Sequence, residues 1–114
     1  MRENLGPEKA SKRYNDAATG ARPGQAPTLM RTMPDGSKRP VKFDGVEREY
    51  VIDRKFQVVD RPRARAQVLR QSEALAHNRL IGTWEVPTPV QRAKALKLLK
   101  DMNVTNIKVR VVKP

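Results

Sequence analysis

The sequence predicts one α/β domain, a central mixed β-sheet flanked by helices. Three observations carry that expectation. The chain has 114 residues, the size of a single domain. Short runs rich in β-branched and aromatic residues recur at 41–59, 83–86 and 107–112. Between them lie two segments with helical periodicity, 62–80 and the stretch that starts at Pro89. Strands alternating with helices are the pattern of helices packed on a sheet.

In chain order, residues 1–27 read as a loop-rich N-terminal arm, and 28–114 as the folded body. The arm carries one short helix over 8–18, stopped by Gly20. Residues 21–27, ARPGQAP, hold two prolines and a glycine and are loop. A strand is expected over 28–33, and Pro34-Asp35-Gly36-Ser37 is turn chemistry. Residues 41–59, VKFDGVEREYVIDRKFQVV, form a hairpin or two successive strands, with Gly45 at the turn. Asp60 is then the expected N-cap of a helix over 62–80, with Pro62 in its first turn. Ala64, Val68, Gln71 and Leu75 share one face of that helix, and Gln71 is polar where an apolar side chain is expected. Gly82 reads as the stop, followed by a short strand with Trp84 in the core. Thr88 caps the second helix, with Pro89 at its first position and Gln91 completing most of a capping box. Ala95, Leu98, Leu99 and Met102 form its apolar stripe, Asn103 closes it, and 107–112 is the last strand.

Lys and Arg number 24 against 12 Asp and Glu, a formal net charge of +12. A field of that sign favours a polyanionic partner, nucleic acid first. With no cysteine there is no disulfide framework, thiolate zinc site or catalytic thiol. The single His77 rules out a histidine pair and reads as a surface residue. No apolar run reaches membrane-spanning length, so membrane insertion is not expected. The first residues, MRENLGPEKASKRYND, are too polar for a secretory signal.

The chemistry centres on residues 41–59. Along a strand, Tyr50, Ile52 and Arg54 share one face, and Val51, Asp53 and Lys55 the other. If the chain folds back at Gly45, Asp44 approaches Asp53. Two carboxylates and a lysine gathered in a small space can hold a divalent cation and activate a water. Asp53-x-Lys55 alone arises by accident in a chain this rich in charge. Its context gives it weight: an apolar strand, a second acid a hairpin away and a polar residue on the next helix. Arg61, Arg63, Arg65 and Arg70 follow, placed to contact nucleic-acid phosphates. The Lys94, Lys97, Lys100 row reads as solvated surface.

Tyr14 with Thr19-Gly20, Lys42-Phe43-Asp44-Gly45, Ile52-Asp53-Arg54-Lys55, Gln71, and Trp84-Glu85-Val86 with Asn106-Ile107 form a spaced set over about residues 13–112. This set resembles the PD-(D/E)xK nuclease superfamily. Within it, the chain looks like the restriction-endonuclease-fold toxin domains at the C-termini of bacterial polymorphic toxins. The chain departs from the name pattern in having Phe43, not proline, before Asp44. A literal Pro34-Asp35 also lies upstream of Asp53, but Pro-Asp-Gly-Ser is ordinary turn chemistry, and Asp44 is the expected partner.

The resemblance implies a restriction-endonuclease-like core and a metal-dependent endonuclease. Mg²⁺ or Mn²⁺ would be held by Asp44, Asp53 and the backbone carbonyl of Arg54. Lys55 would orient the attacking water or stabilise the transition state. Gln71 resembles a glutamine that some members place near the site; otherwise its amide caps a strand end. Neither Glu8 nor Asp16 is assigned as a further acid. The resemblance also implies export within a larger toxin or effector, action in the cytoplasm of a target bacterium, and a cognate immunity protein. A +12 surface calls for an acidic one. The substrate would be DNA, favoured, or RNA such as tRNA. The alternative is a basic nucleic-acid-binding module without catalysis, in which Asp53 and Lys55 are only an ion pair. A membrane-active toxin fits poorly, since no long amphipathic or apolar segment is present.

Overall fold

The computed structural model describes residues 13–22 and 26–114. The expected helix over 8–18 lies partly outside them. Its described part is helical at 13–16, and Gly20 follows with φ +73°.

The first two strands, β1 (Thr28–Thr32) and β2 (Lys38–Lys42), pair antiparallel across the Pro34-Asp35-Gly36-Ser37 turn. Gly36 takes φ +85°, and Asp35 Oδ1 accepts hydrogen bonds from the Ser37 amide at 2.9 Å and hydroxyl at 2.6 Å. This hairpin is a sheet of its own. The chain changes partner at Phe43. The Phe43 amide still reaches back to Pro27 O at 2.8 Å, whereas the Asp44 amide donates to Ile52 O at 2.9 Å. Phe43 is buried and anchors the corner, so Asp44 stands where the chain leaves one ladder and joins the next.

The second sheet is mixed and four-stranded, in the order β3 (Gly45–Glu47), β4 (Tyr50–Arg54), β5 (Ile81–Val86), β6 (Ile107–Val111). β3 and β4 are antiparallel, joined by a tight turn in which Arg48 takes φ +57°. β4, β5 and β6 are mutually parallel, which requires a crossover between each pair. Helix α1 (Pro62–His77) makes the first and α2 (Pro89–Asp101) the second.

Both helices cover the sheet face that carries Val51, Trp84 and Val86. Val68, Ala74 and Leu75 of α1 and Ala95, Leu98 and Leu99 of α2 complete that core. Each fully buried valine or leucine among them contributes about 1.5–3 kcal/mol. The opposite face carries Ile52, Arg54, Thr83 and Glu85. There Tyr14 and Thr19 of the N-terminal segment close over the sheet. The Tyr14 hydroxyl donates to Val112 O at 2.7 Å.

Two expected boundaries move, each for a visible reason. Asp60 does not cap α1; Arg61 holds the N-cap position with no side-chain bond. Asp60 instead accepts two nitrogens of the Arg65 guanidinium, Nε at 2.7 Å and Nη2 at 2.8 Å. A bidentate, charge-assisted pair outcompetes a single cap bond. At its far end α1 stops at His77, three residues before the expected limit, through left-handed Arg79 (φ +56°) and the Leu80 amide on Leu75 O at 2.9 Å. Gly82 is therefore no helix stop. It lies inside β5, where a Cβ would sit 2.7 Å from Leu75 Cδ1, so its smallness lets helix and strand approach. Thr88 does cap α2, accepting the Gln91 amide at 3.2 Å, and left-handed Asn103 ends it. The Gln91 side chain leaves the capping box open and accepts the Val58 amide at 2.8 Å, fixing the segment between β4 and α1.

Candidate active site

β4 presents Asp53 toward the helices and Arg54 toward the N-terminal segment, as strand alternation requires. The turn at Arg48 brings β3 back beside it, and the register Gly45 opposite Ile52 sets Asp44 next to Asp53. The Asp53 carboxylate lies close enough to act directly on the Asp44 carboxyl. Asp44 Oδ2 also accepts the Arg54 amide at 2.8 Å.

The approach of β3 depends on glycine at two crossing points. A Cβ on Gly45 would lie 2.1 Å from Thr19 O, and one on Gly20 would lie 2.0 Å from Val46 O. The segment around Thr19 thus crosses β3 at backbone contact and holds the Asp44 corner.

Asp53 is the hub. Its Oδ2 accepts Lys55 Nζ at 2.8 Å and Gln71 Nε2 at 2.9 Å. Gln71 Oε1 in turn accepts Trp84 Nε1–H at 2.9 Å. An indole nitrogen only donates, so the amide oxygen must face Trp84 and the amide nitrogen must face the carboxylate. Gln71, at 1% exposure, is therefore the inward polar residue that orients Asp53. Lys55 Nζ donates as well to Gln67 Oε1 at 2.8 Å and stands 4.8 Å from the centre of the Trp84 ring. The ammonium is held from three sides.

Burial and the neighbouring Asp53 carboxylate push Asp44 up to about 7. The Arg54 amide and Lys55 oppose the rise without cancelling it. Asp44 therefore keeps its proton in mildly acid solution and releases it near neutrality.

A cleft of ≈ 520 Å³ opens beside Lys55 between the start of α1 and the segment before it. Arg61, Arg63 and Arg70 line it. Arg65 does not; it is turned to Asp60. Of the other sequence candidates, Asp35 is exposed in its turn and bonded to Ser37. His77 is exposed and accepts the Thr32 amide on Nδ1 at 3.1 Å. Asp16 is exposed, and Glu8 lies outside the described residues.

Two residues were given no role by the sequence reading. Gln67 stands one helical turn before Gln71, a spacing that places both amides on one face and signals a pair. Glu85 is fully buried on the other side of the sheet, between two arginines in exact register on the adjacent strands, Arg54 and Arg110. Its Oε1 accepts Arg54 Nε at 2.7 Å, and its Oε2 accepts the Thr19 hydroxyl at 2.6 Å and Arg110 Nε at 3.0 Å. Burial alone would raise this carboxyl; the hydrogen bonds from Thr19, Arg110 and Arg54 outweigh it and hold Glu85 down at about 2. The signal in sequence was an acid in the middle of an apolar strand.

Among the described residues no group of three or more His, Cys, Asp or Glu side chains converges on a metal-sized space, so Asp44 and Asp53 stand as a pair. No helix among them is long and apolar enough to cross a membrane. Comparison with protein-family models, with curated proteins and with solved structures returns no match.

Proposed function

We propose that this chain is a metal-dependent endonuclease toxin domain with a restriction-endonuclease-like core. It hydrolyses phosphodiester bonds of nucleic acid, with DNA favoured over RNA. The observation that carries the proposal is the convergence of Asp44, Asp53 and Lys55 on one cluster.

The donor set suits Mg²⁺ or Mn²⁺. Hard divalent cations take carboxylate and carbonyl oxygens and keep several waters, so two carboxylates suffice. Since the Lys55 amide donates to Glu85 O, the ladder alternation turns the Arg54 backbone toward the β3 edge, where Asp44 stands. Asp44, Asp53 and the Arg54 carbonyl would thus hold the ion, which supplies a more acidic bound water and offsets charge on the phosphate.

The remaining tasks fall to this chain's own groups. Asp44 must give up its proton to become a ligand, which its position near neutrality allows. Gln71, itself fixed by Trp84, keeps Asp53 from rotating. Lys55, steadied by Gln67, is a point charge for the phosphate oxygen on which negative charge grows. Arg61, Arg63 and Arg70 meet the flanking phosphates. Export within a larger toxin, action in a target bacterium's cytoplasm and neutralisation by an acidic immunity protein complete the proposal. The +12 charge supports that last partner.

The Lys55–Asp53 contact at 2.8 Å is also what a non-catalytic nucleic-acid-binding module would show. Incubation with plasmid and with total tRNA, in Mg²⁺ and in EDTA, separates the two. Cleavage in Mg²⁺ that is lost in EDTA and in Asp53→Ala and Lys55→Ala is expected. Binding without metal-dependent cleavage of either substrate would leave only the module.

A further inference from the structure

Lys55 has two sides. One touches Asp53; the other forms part of the wall of the ≈ 520 Å³ cleft. That volume encloses a small ligand, not a helix. Val58, Val59, Ala64, Val68 and Leu98 give it an apolar interior. Four cations, Lys55, Arg61, Arg63 and Arg70, line it, and none of its lining residues is acidic. Arg61, Arg63 and Arg70 have no ion pair among the described residues, in contrast to Arg65. Two amides, Gln57 and Gln67, add hydrogen-bonding groups. The wall is set in advance: Val58 is buried and its amide is held by Gln91.

Apolar walls, two amides and four cations, three of them without an ion pair among the described residues, complement one chemistry, a flat ring with polar edges attached to phosphate. A bare phosphate backbone needs no apolar interior, and an apolar ligand needs no arginines. A continuous duplex keeps its bases stacked and shows a protein mainly phosphate and groove edges, so it cannot fill such a cleft without extruding a base. Extrusion costs a few kcal/mol in a duplex and least in a single strand.

We infer that the cleft receives one unstacked nucleobase beside the phosphate at Lys55, so that the substrate is single-stranded or looped nucleic acid rather than continuous duplex. The position of the cleaved bond rests on the nuclease proposal; the binding of the base does not.

The test is therefore a binding measurement in EDTA. Trp84, the single tryptophan of the chain, lies in the cleft wall and reports occupancy by its fluorescence. The probes are a short single strand as RNA and as DNA, a blunt duplex of the same sequence, and inorganic phosphate. Ala64→Phe places a ring in the cleft from α1, and Val59→Phe does so from the facing segment. Each variant is first checked for an unchanged circular-dichroism spectrum. Single strands are expected to bind roughly tenfold or more tighter than duplex, and a filled cleft to remove roughly that factor, a base-stacking contribution. Duplex and phosphate binding should not respond to the filling. The ribose and deoxyribose arms show which sugar the site prefers. Equal affinity for duplex and single strand, or single-strand binding that ignores both filling variants, overturns the inference. A parallel Mg²⁺ cleavage assay keeps the two proposals apart. Selective single-strand binding without cleavage sinks only the nuclease, and duplex cut as fast as single strand sinks only the unstacked base.

Discussion

Asp44→Asn should make the metal-free protein more stable at alkaline pH while removing the proposed metal-dependent cleavage. The Asp44 carboxyl has an ordinary value of 3.8 and rises to about 7 in the fold. Below pH 3.8 it is protonated folded or unfolded, and the fold bears no cost from its charge. As pH climbs from there, the unfolded chain releases the proton and the folded chain retains it, so stability falls until about pH 7. The loss has an upper bound of about 4 kcal/mol, reduced by solvent screening of this partly exposed carboxyl, and the slope stays below about 1.4 kcal/mol per pH unit. Asparagine imitates the protonated acid. Its oxygen can accept the Arg54 amide, and its NH₂ can donate to Asp53. The variant should therefore lack that slope and exceed the wild type at pH 8. Urea unfolding followed by Trp84 fluorescence, at several pH values from 5 to 8 in EDTA, measures it. Added Mg²⁺ should restore the wild type at pH 8, because binding stabilises the folded state, and leave the variant unchanged. Parallel pH profiles for the two proteins would refute the raised Asp44 carboxyl. An Mg²⁺ response retained by Asp44→Asn would refute its role as a ligand.

Gln71→Leu preserves bulk but strips the partner from buried Trp84 Nε1–H and from Asp53 Oδ2. A loss of about 1–3 kcal/mol in urea unfolding is expected, with cleavage falling further than stability explains. Glu85→Gln weakens the row through Arg54 and Arg110 and leaves the guanidinium of Arg54 buried without its carboxylate. A cost of about 3–5 kcal/mol is expected at neutral pH. Because Glu85 is held down at about 2, its contribution is complete above pH 4.5 and fades as pH falls toward 2. The difference between wild type and Glu85→Gln should shrink over that interval in acid unfolding curves.

The strand faces, the two crossover helices and the Asp44–Asp53 pairing were legible from alternation, periodicity and a fold-back before β4, although the chain turns at Arg48, and Gly45, the expected turn residue, lies inside β3. What the sequence hid was competition between rules. Asp60 carries good cap chemistry, but Arg65, five residues on, offers two bonds against one. Gly82 reads as a helix stop in one dimension and is a packing requirement in three, set by Leu75. The β1–β2 hairpin stands apart from the main sheet because the chain turns at Phe43, a corner fixed by burial.

The least legible part is the relation between the two sides of β4. Asp53 and Arg54 are neighbours in sequence and face opposite ways, one into the carboxylate cluster and one into the buried Glu85 row. A strand held on one face alone could shift or rotate under a pull on Lys55. Here Arg54 is tied through Glu85 to Thr19 and Arg110, and Thr19 lies on the segment that crosses Gly45. The ion row thus secures β4 and the Asp44 corner together. The cost of burying Glu85 and Arg54 is large, and an apolar pair could fill the same space. An apolar pair would not tie β4 to Thr19 and to β6, whereas the ion row braces the strand whose Arg54 amide meets Asp44 at 2.8 Å. The placement of Asp44 beside Asp53 is therefore braced from the far side of the sheet.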